Sequence, residues 1–243
     1  MSNNSYSPEL DEVDVFFSPT MALKRLLGVY EMEGLVTGLK SSVFQAQRES
    51  WAAAVFLLGY GQLTKTQYWL RENPKKHLAP DVFAITPRAP GDESGYVSRE
   101  VMEIEVCEYD EHATADIPGH IKAKLEGKNY HPSTFLLCYV HVLQKARLID
   151  IIEGLKDFKP SVREIWLLFH LNDGPHGNFY IARVYLKDND LGTTNLQYKG
   201  NYLELMKLPQ KDMIKTSRGA VKKINFEPLG IGIVPLPRIK KNK

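Results

Sequence analysis

Three carboxylates stand in an unusual setting. Asp81 follows Pro80 and opens the apolar run Val82-Phe83-Ala84-Ile85, while Glu103 and Glu105 interrupt the run 101–107, which otherwise reads as a core strand. Side chains alternate along a strand, so Glu103 and Glu105 share one face and Met102, Ile104 and Val106 share the other. A carboxylate taken out of water is costly unless it is paired, protonated or bound to a metal. Two readings follow. The acids either line the solvent face of an edge strand or belong to a site in a central strand. Flanking strands expected on both sides favour the second.

The elements that must position these acids follow from hydrophobic periodicity. Ser18-Pro19-Thr20 opens an expected helix over 21–34, in which Leu23, Leu26, Leu27 and Tyr30 recur at helical spacing. A stronger helix is expected from 41 or 42 to about 58, stopped by Gly59-Tyr60-Gly61, with Ala52-Ala53-Ala54 suited to close packing on a sheet. Residues 62–70 alternate as a strand. The two acid-bearing strands come next, separated by a turn-rich insert at 87–98. Asp116 caps an expected helix with Pro118 in its first turn, ending near Gly127. Residues 133–142 form a near-continuous apolar strand, the pattern of a strand covered on both faces. A helix at 146–155 and a strand pair at 162–171 and 179–186, which suits a hairpin, complete the regular part. Short helices are expected at 203–208 and 211–214, and an edge strand or packed segment at 229–236.

The chain has 243 residues, 43% of them hydrophobic, enough for one large domain. Three parts are expected: a loose acidic arm at 1–19, able to dock through Val15-Phe16-Phe17; an α/β domain over 20–190; and a basic extension over 191–243 packing on it. Net charge is only +2, but Lys199 to Lys243 holds eleven Lys/Arg against three acids. That asymmetry suits a polyanionic partner as well as a solvated tail. Two cysteines, Cys107 and Cys138, have neither disulfide nor zinc spacing and read as small apolar side chains. The polar opening at 1–8 does not read as a signal peptide, and the longest apolar stretch, 51–58, is too short to span a bilayer. A reducing, cytoplasmic setting away from membranes is expected. There is no GxxxxGK[ST] loop, dinucleotide glycine fingerprint or GxSxG elbow.

With helix, strand, strand opening on Pro80-Asp81, strand carrying Glu103-Ile104-Glu105, helix and strand in that order, the chain resembles the PD-(D/E)xK nuclease superfamily over roughly 41–142. The resemblance implies a restriction-endonuclease-like α/β fold, a central mixed sheet flanked by helices in α-β-β-β-α-β order with extra C-terminal strands here. It implies Mg²⁺- or Mn²⁺-dependent hydrolysis of DNA phosphodiesters, with Asp81 and Glu103 as metal ligands. A hard cation held by one or two carboxylates polarises the phosphate and lowers the pKa of water. The sequence departs from the family at Glu105, where the pattern places lysine. Glu105 then serves as a third ligand or base, and Lys122 or Lys124 on the following helix supplies the displaced cation. Glu49, in the centre of the preceding helix, takes the place of the family acid that holds water at the ion. By the same resemblance the chain works as a homodimer or with partner proteins of a DNA-processing system. Lys75, Lys76, Lys211, Lys215, Arg218, Lys222 and Lys223 are the expected phosphate contacts. The departure at Glu105 also motivates an alternative, a catalytically inactive nuclease-fold protein acting as a DNA-binding or assembly factor.

Overall fold

The helix expected to stop at Gly59 continues past it. In the computed structural model, which describes residues 13–34, 42–74, 78–87, 99–110, 112–141, 147–171, 176–187 and 196–217, α2 runs Gln45–Thr64. Gly59 is an approach point, not a terminator: a Cβ there would lie 2.8 Å from a ring carbon of Phe179 and 2.9 Å from a methyl of Ile181. The helix ends instead at Lys65, which adopts the left-handed conformation (φ 55°). The expected strand at 62–70 shrinks accordingly to β2, Trp69–Glu72.

The remaining elements are β1 (Val13–Phe17), α1 (Pro19–Glu33), β3 (Val82–Pro87), β4 (Arg99–Tyr109), α3 (Ile117–Leu125), β5 (Thr134–Val140), α4 (Leu148–Leu155), β6 (Glu164–His170), β7 (Asn178–Leu186), β8 (Gln197–Asn201), α5 (Tyr202–Leu205) and β9 (Met213–Ser217). Local caps explain the helix starts. The Ser18 hydroxyl accepts from Met21 N–H ahead of Pro19, and Asp116 accepts from Gly119 N–H ahead of Pro118.

The described strands form one mixed nine-stranded sheet in the order β8-β7-β6-β5-β4-β3-β2-β1-β9. β4, β5 and β6 are mutually parallel and central; β6 and β7 pair antiparallel, as the hairpin reading expects. The short helix expected at 211–214 is replaced by a strand at Met213–Ser217. It pairs with Val13–Phe17, so the end of the expected arm that holds Val15-Phe16-Phe17 is built into the sheet, with Phe16 fully buried. Met213-Ile214-Lys215-Thr216-Ser217 has no period-two alternation to mark a strand, and its partner lies about two hundred residues away in sequence, which local periodicity does not register. Residues 229–236 lie outside the described residues.

Two apolar layers cover the sheet. On one face α2 packs Ala53, Phe56 and Leu57 against Ile104, Val106, Leu137 and Trp166. On the other, Ile121, Leu125, Ile151 and Leu155 of α3 and α4 pack against Cys107, Leu136, Cys138 and Leu167. β5 is therefore covered on both faces, as its unbroken apolar run requires. Cys107 and Cys138 are register neighbours, both free thiols and buried. Among the described residues no helix is long and apolar enough to cross a membrane.

Candidate active site

The site forms where the β3–β4 ladder runs out. Val82 pairs with Ile104, so Asp81, one step before, stands level with Glu105. Beyond that level β4 continues to Tyr109 while β3 does not. The Asp81 carboxylate fills the vacated position: its Oδ2 accepts a hydrogen bond from Val106 N–H at 2.8 Å. Asn73 holds the approach to Asp81. Its backbone N–H donates to the Asp81 carbonyl (2.9 Å), and its buried side-chain amide donates to the carbonyls of Leu78 (2.9 Å) and Pro80 (2.8 Å).

Glu105 reaches the same notch from β4 and is 5% exposed. Its Oε1 accepts from the Tyr130 hydroxyl (3.1 Å) and lies 2.8 Å from Lys124 Nζ; its Oε2 is buried with no hydrogen-bond partner. α3 thus presents Lys124 inward, while Lys122, two residues earlier and on the other side of the helix, is exposed. The third acid arrives from α2. Glu49 Oε1 accepts from the Gln45 side chain at 2.7 Å, and the two residues line a cleft of about 220 Å³ with Asn73, Pro80 and Asp81.

The electrostatics follow from this convergence. Burial, reinforced by the negative charges of Glu105 and Glu49, pushes the Asp81 carboxyl up to about 7, against the opposing Val106 hydrogen bond and Lys124 charge. Burial also raises Glu49, with Gln45 and Lys124 acting the other way. Burial alone would lower the Lys124 ammonium, but the charge and hydrogen bond of Glu105 more than offset it and hold it above its ordinary value. Tyr130 is raised by burial and by Glu105, which keeps its hydroxyl a donor. Asp81, Glu105, Glu49 and Lys124 therefore act on one another directly.

Glu103 takes a different position. It shares the face of Glu105 but sits one step further down the ladder, opposite Phe83 and Thr134. Its Oε2 accepts from the Thr134 hydroxyl (2.9 Å) and lies 3.9 Å from His131 Nδ1. The structure brings Asp81 together with Glu105, not with Glu103. Among the described residues no three His, Cys, Asp or Glu side chains form a ready-made metal cage.

Of the expected phosphate contacts, Lys211 is half-buried in the approach to β9, where its carbonyl accepts from the Trp69 indole at 3.1 Å. Lys215 lies on β9 opposite Val15. Lys75, Lys76, Arg218, Lys222 and Lys223 lie outside the described residues. Sequence reasoning missed Asn73, Tyr130 and Thr134. Thr134 carries a weak signal, since it opens the strand expected beside Glu103. Asn73 and Tyr130 sit in polar connections with no periodic pattern to single them out. Comparison with protein-family models, with curated proteins and with solved structures finds no match.

Proposed function

We propose that the chain is a divalent-metal-dependent nuclease of the restriction-endonuclease-like type, hydrolysing DNA phosphodiester bonds at the notch beside β4. The observation that carries this is that Asp81 stands level with Glu105 and shares a cleft with Glu49, with Lys124 Nζ 2.8 Å from Glu105. A buried Glu105 with half-buried Asp81, Glu49 and Lys124 around it is costly to desolvate and gives little stability in return. Such an arrangement is the mark of a site kept for chemistry. The element order α2-β2-β3-β4-α3-β5 agrees with the fold that the motif implies.

The residues present fit a hard divalent ion. Glu105 Oε2 is a buried carboxylate oxygen without a partner, and Asp81 is a carboxylate pushed toward its neutral form by neighbouring acids. Both features are relieved by a cation. Mg²⁺ needs only one or two carboxylates besides water and phosphate oxygens, so a full protein cage is not required. Asp81 and Glu105 would hold the ion, with Glu49 facing them across the cleft. When bound, the ion supplies Lewis acidity toward the phosphate and a lowered pKa for the attacking water.

The protein's own residues do the rest. Lys124 places a positive charge where negative charge builds on the phosphate oxygens. It replaces the lysine that the motif lacks, and it does so from α3. Glu105, two residues beyond Glu103, then takes the place of the motif acid. Tyr130 fixes the orientation of Glu105, and Asn73 fixes that of Asp81. Glu49, held by Gln45, accepts or holds a proton at the mouth of the cleft.

Labelled single- and double-stranded DNA and RNA, incubated with the protein and Mg²⁺, Mn²⁺ or chelator, test this reading. Metal-dependent cleavage of DNA that is lost in Asp81→Asn, Glu105→Gln and Lys124→Ala supports it. Absence of cleavage with either metal, or cleavage indifferent to all three substitutions, refutes it. Retained DNA binding without cleavage identifies the inactive DNA-binding alternative.

A further inference from the structure

Outside the notch, a basic concavity lies at the C-terminal ends of α3 and α4. It has a volume of about 1040 Å³, and Lys128, Lys156, Lys159 and Lys187 line it together with Phe158 and Tyr185. Among its described lining residues the one acid is Glu126. We infer that this cleft seats the phosphodiester backbone of a nucleic-acid strand leading to the notch; the inference rests on the nuclease reading for the identity of the polyanion.

Three observations support it. First, the lysines are not compensated from within. Arg25, Lys124, Arg147 and Lys207 each engage an acid, whereas none of the four cleft lysines forms an ion pair among the described residues. Second, helix ends do not account for them. A helix C-terminus carries about half a negative charge, so two ends together with Glu126 leave about two positive charges unmatched. Like charges gathered in one concavity repel unless an anion enters, and a concave wall focuses their field. Third, the cleft adjoins the proposed chemistry. Lys128 follows Lys124 by four residues, just past the end of α3, and Tyr130, whose hydroxyl binds Glu105, donates its backbone N–H to Ser161 Oγ at 3.1 Å. Ser161 lines the cleft. One residue therefore joins the basic wall to the catalytic carboxylate.

The test is fluorescence anisotropy of a short labelled single-stranded DNA and the matching RNA, in chelator, across a salt series. The full chain is compared with Lys156→Glu/Lys159→Glu, Lys156→Arg/Lys159→Arg and, as a surface control, Lys24→Glu. Circular dichroism and the thermal midpoint establish that each variant is folded. The double charge reversal is expected to weaken binding at least tenfold at low salt. It should also flatten the slope of log affinity against log salt by about 1.4, at about 0.7 for each phosphate that a lysine no longer neutralises. The arginine pair and Lys24→Glu keep wild-type affinity and slope. In cleavage assays the reversal raises KM and leaves kcat unchanged. Wild-type affinity and slope in the reversal variant overturn the cleft assignment, and Asp81-dependent cleavage surviving in that variant leaves the nuclease reading standing. Binding lost on reversal in a protein that cleaves nothing overturns the nuclease reading and keeps the cleft. No oligonucleotide binding by the wild type at low salt overturns the cleft.

Discussion

Asp81→Asn is expected to stabilise the metal-free protein while abolishing its activity. Asp81 titrates near 7 in the fold against an ordinary 3.8, and the cause is burial among Glu105 and Glu49. A raised folded-state value means that the native state holds a proton that the unfolded chain releases between the two. Stability is thus fully present below pH about 4 and is lost as pH rises through 7. At about 1.4 kcal/mol per tenfold, the interval between 3.8 and about 7 bounds the loss at about 4 kcal/mol. Part of that repulsion is shared with Glu105 and Glu49, so about 2–4 kcal/mol falls to Asp81 itself. Asparagine is nearly isosteric, and its Oδ1 still accepts from Val106 N–H, so the substitution removes charge and leaves the backbone bond. For a chain of this length that gain raises Tm by about 5–10 °C.

The assay is thermal or denaturant unfolding of wild type and Asp81→Asn in chelator at pH 4, 5, 6, 7 and 8. The two curves should lie close together at pH 4, diverge steadily from pH 5 through 7, and run nearly parallel at pH 8 with the variant above. Adding Mg²⁺ or Mn²⁺ should close the gap from the wild-type side alone, by about 2.7 kcal/mol at one hundred times the dissociation constant. A variant no more stable than wild type at pH 8, or a difference that does not change between pH 4 and 8, would refute the picture of a desolvated acidic cluster at this notch.

Removing the cation has the opposite effect. Lys124→Ala leaves Glu105 buried without its ion pair and should cost about 1–3 kcal/mol, allowing for the partial exposure of Lys124, whereas Lys122→Ala should stay within about 0.5 kcal/mol; paired denaturant titrations separate them, and cleavage should vanish only in the first. Asn73→Ala deletes a buried side-chain hydrogen bond to the Pro80 carbonyl and a part-buried one to that of Leu78, so unfolding should show a loss of about 1–3 kcal/mol, and kcat should fall with little change in KM as Asp81 loses its anchor. His170 stacks on Trp51, and burial, with the charges of His141 and His176, lowers it to about 4. Below pH about 6.5 the unfolded chain takes a proton that the native one refuses, so stability should decline as pH falls toward 4 by up to about 3 kcal/mol, and His170→Phe should abolish that part of the decline in a pH series.

The fold was legible where one property decided it. An unbroken apolar run at β5 means cover on both faces, and α2 and α3 provide that cover from opposite sides. Asp116-Ile117-Pro118 is a self-contained helix start. Misreadings arose where a residue type serves two ends. Gly59 and Gly61 look like a helix stop, yet Gly59 lets α2 approach β7 closely enough to touch Phe179 and Ile181. The pairing of β1 with β9 joins the two ends of the described chain. Each is only five residues long without sustained alternation, and the hydrogen bonds that make them strands come from a partner no local window contains.

The site shows the same division at finer grain. Residue type and element order pointed to Asp81, Glu103, Glu105, Glu49, Lys122 and Lys124 and paired Asp81 with Glu103, whereas Asp81 stands level with Glu105. Alternation assigns Glu103 and Glu105 to the same face and says nothing about their level along it, because a shift of two residues preserves every facing. The level depends on where the β3–β4 ladder ends, and that is set outside the motif. Asn73 clamps the carbonyls of Leu78 and Pro80, so β3 begins at Val82 and Asp81 meets the N–H of Val106. On the proposed nuclease reading, the absence of lysine at position 105 follows from this displacement. With Glu105 as the acid level with Asp81, the position two residues on is Cys107, which is buried beside Cys138 under α3 and cannot carry a long cation into the notch. Lys124 reaches it from α3 instead, and Glu103, left one level below, is satisfied by Thr134 from the neighbouring strand. Exchanging the roles in the test settles the register: Glu105→Gln should remove cleavage and, because it breaks the ion pair with Lys124, should not raise stability in chelator as Asp81→Asn does, whereas Glu103→Gln, with the Thr134 bond still accepted by an amide oxygen, should leave cleavage within a few-fold of wild type. Equal loss in both would place the two glutamates in one ligand set and refute the two-residue displacement.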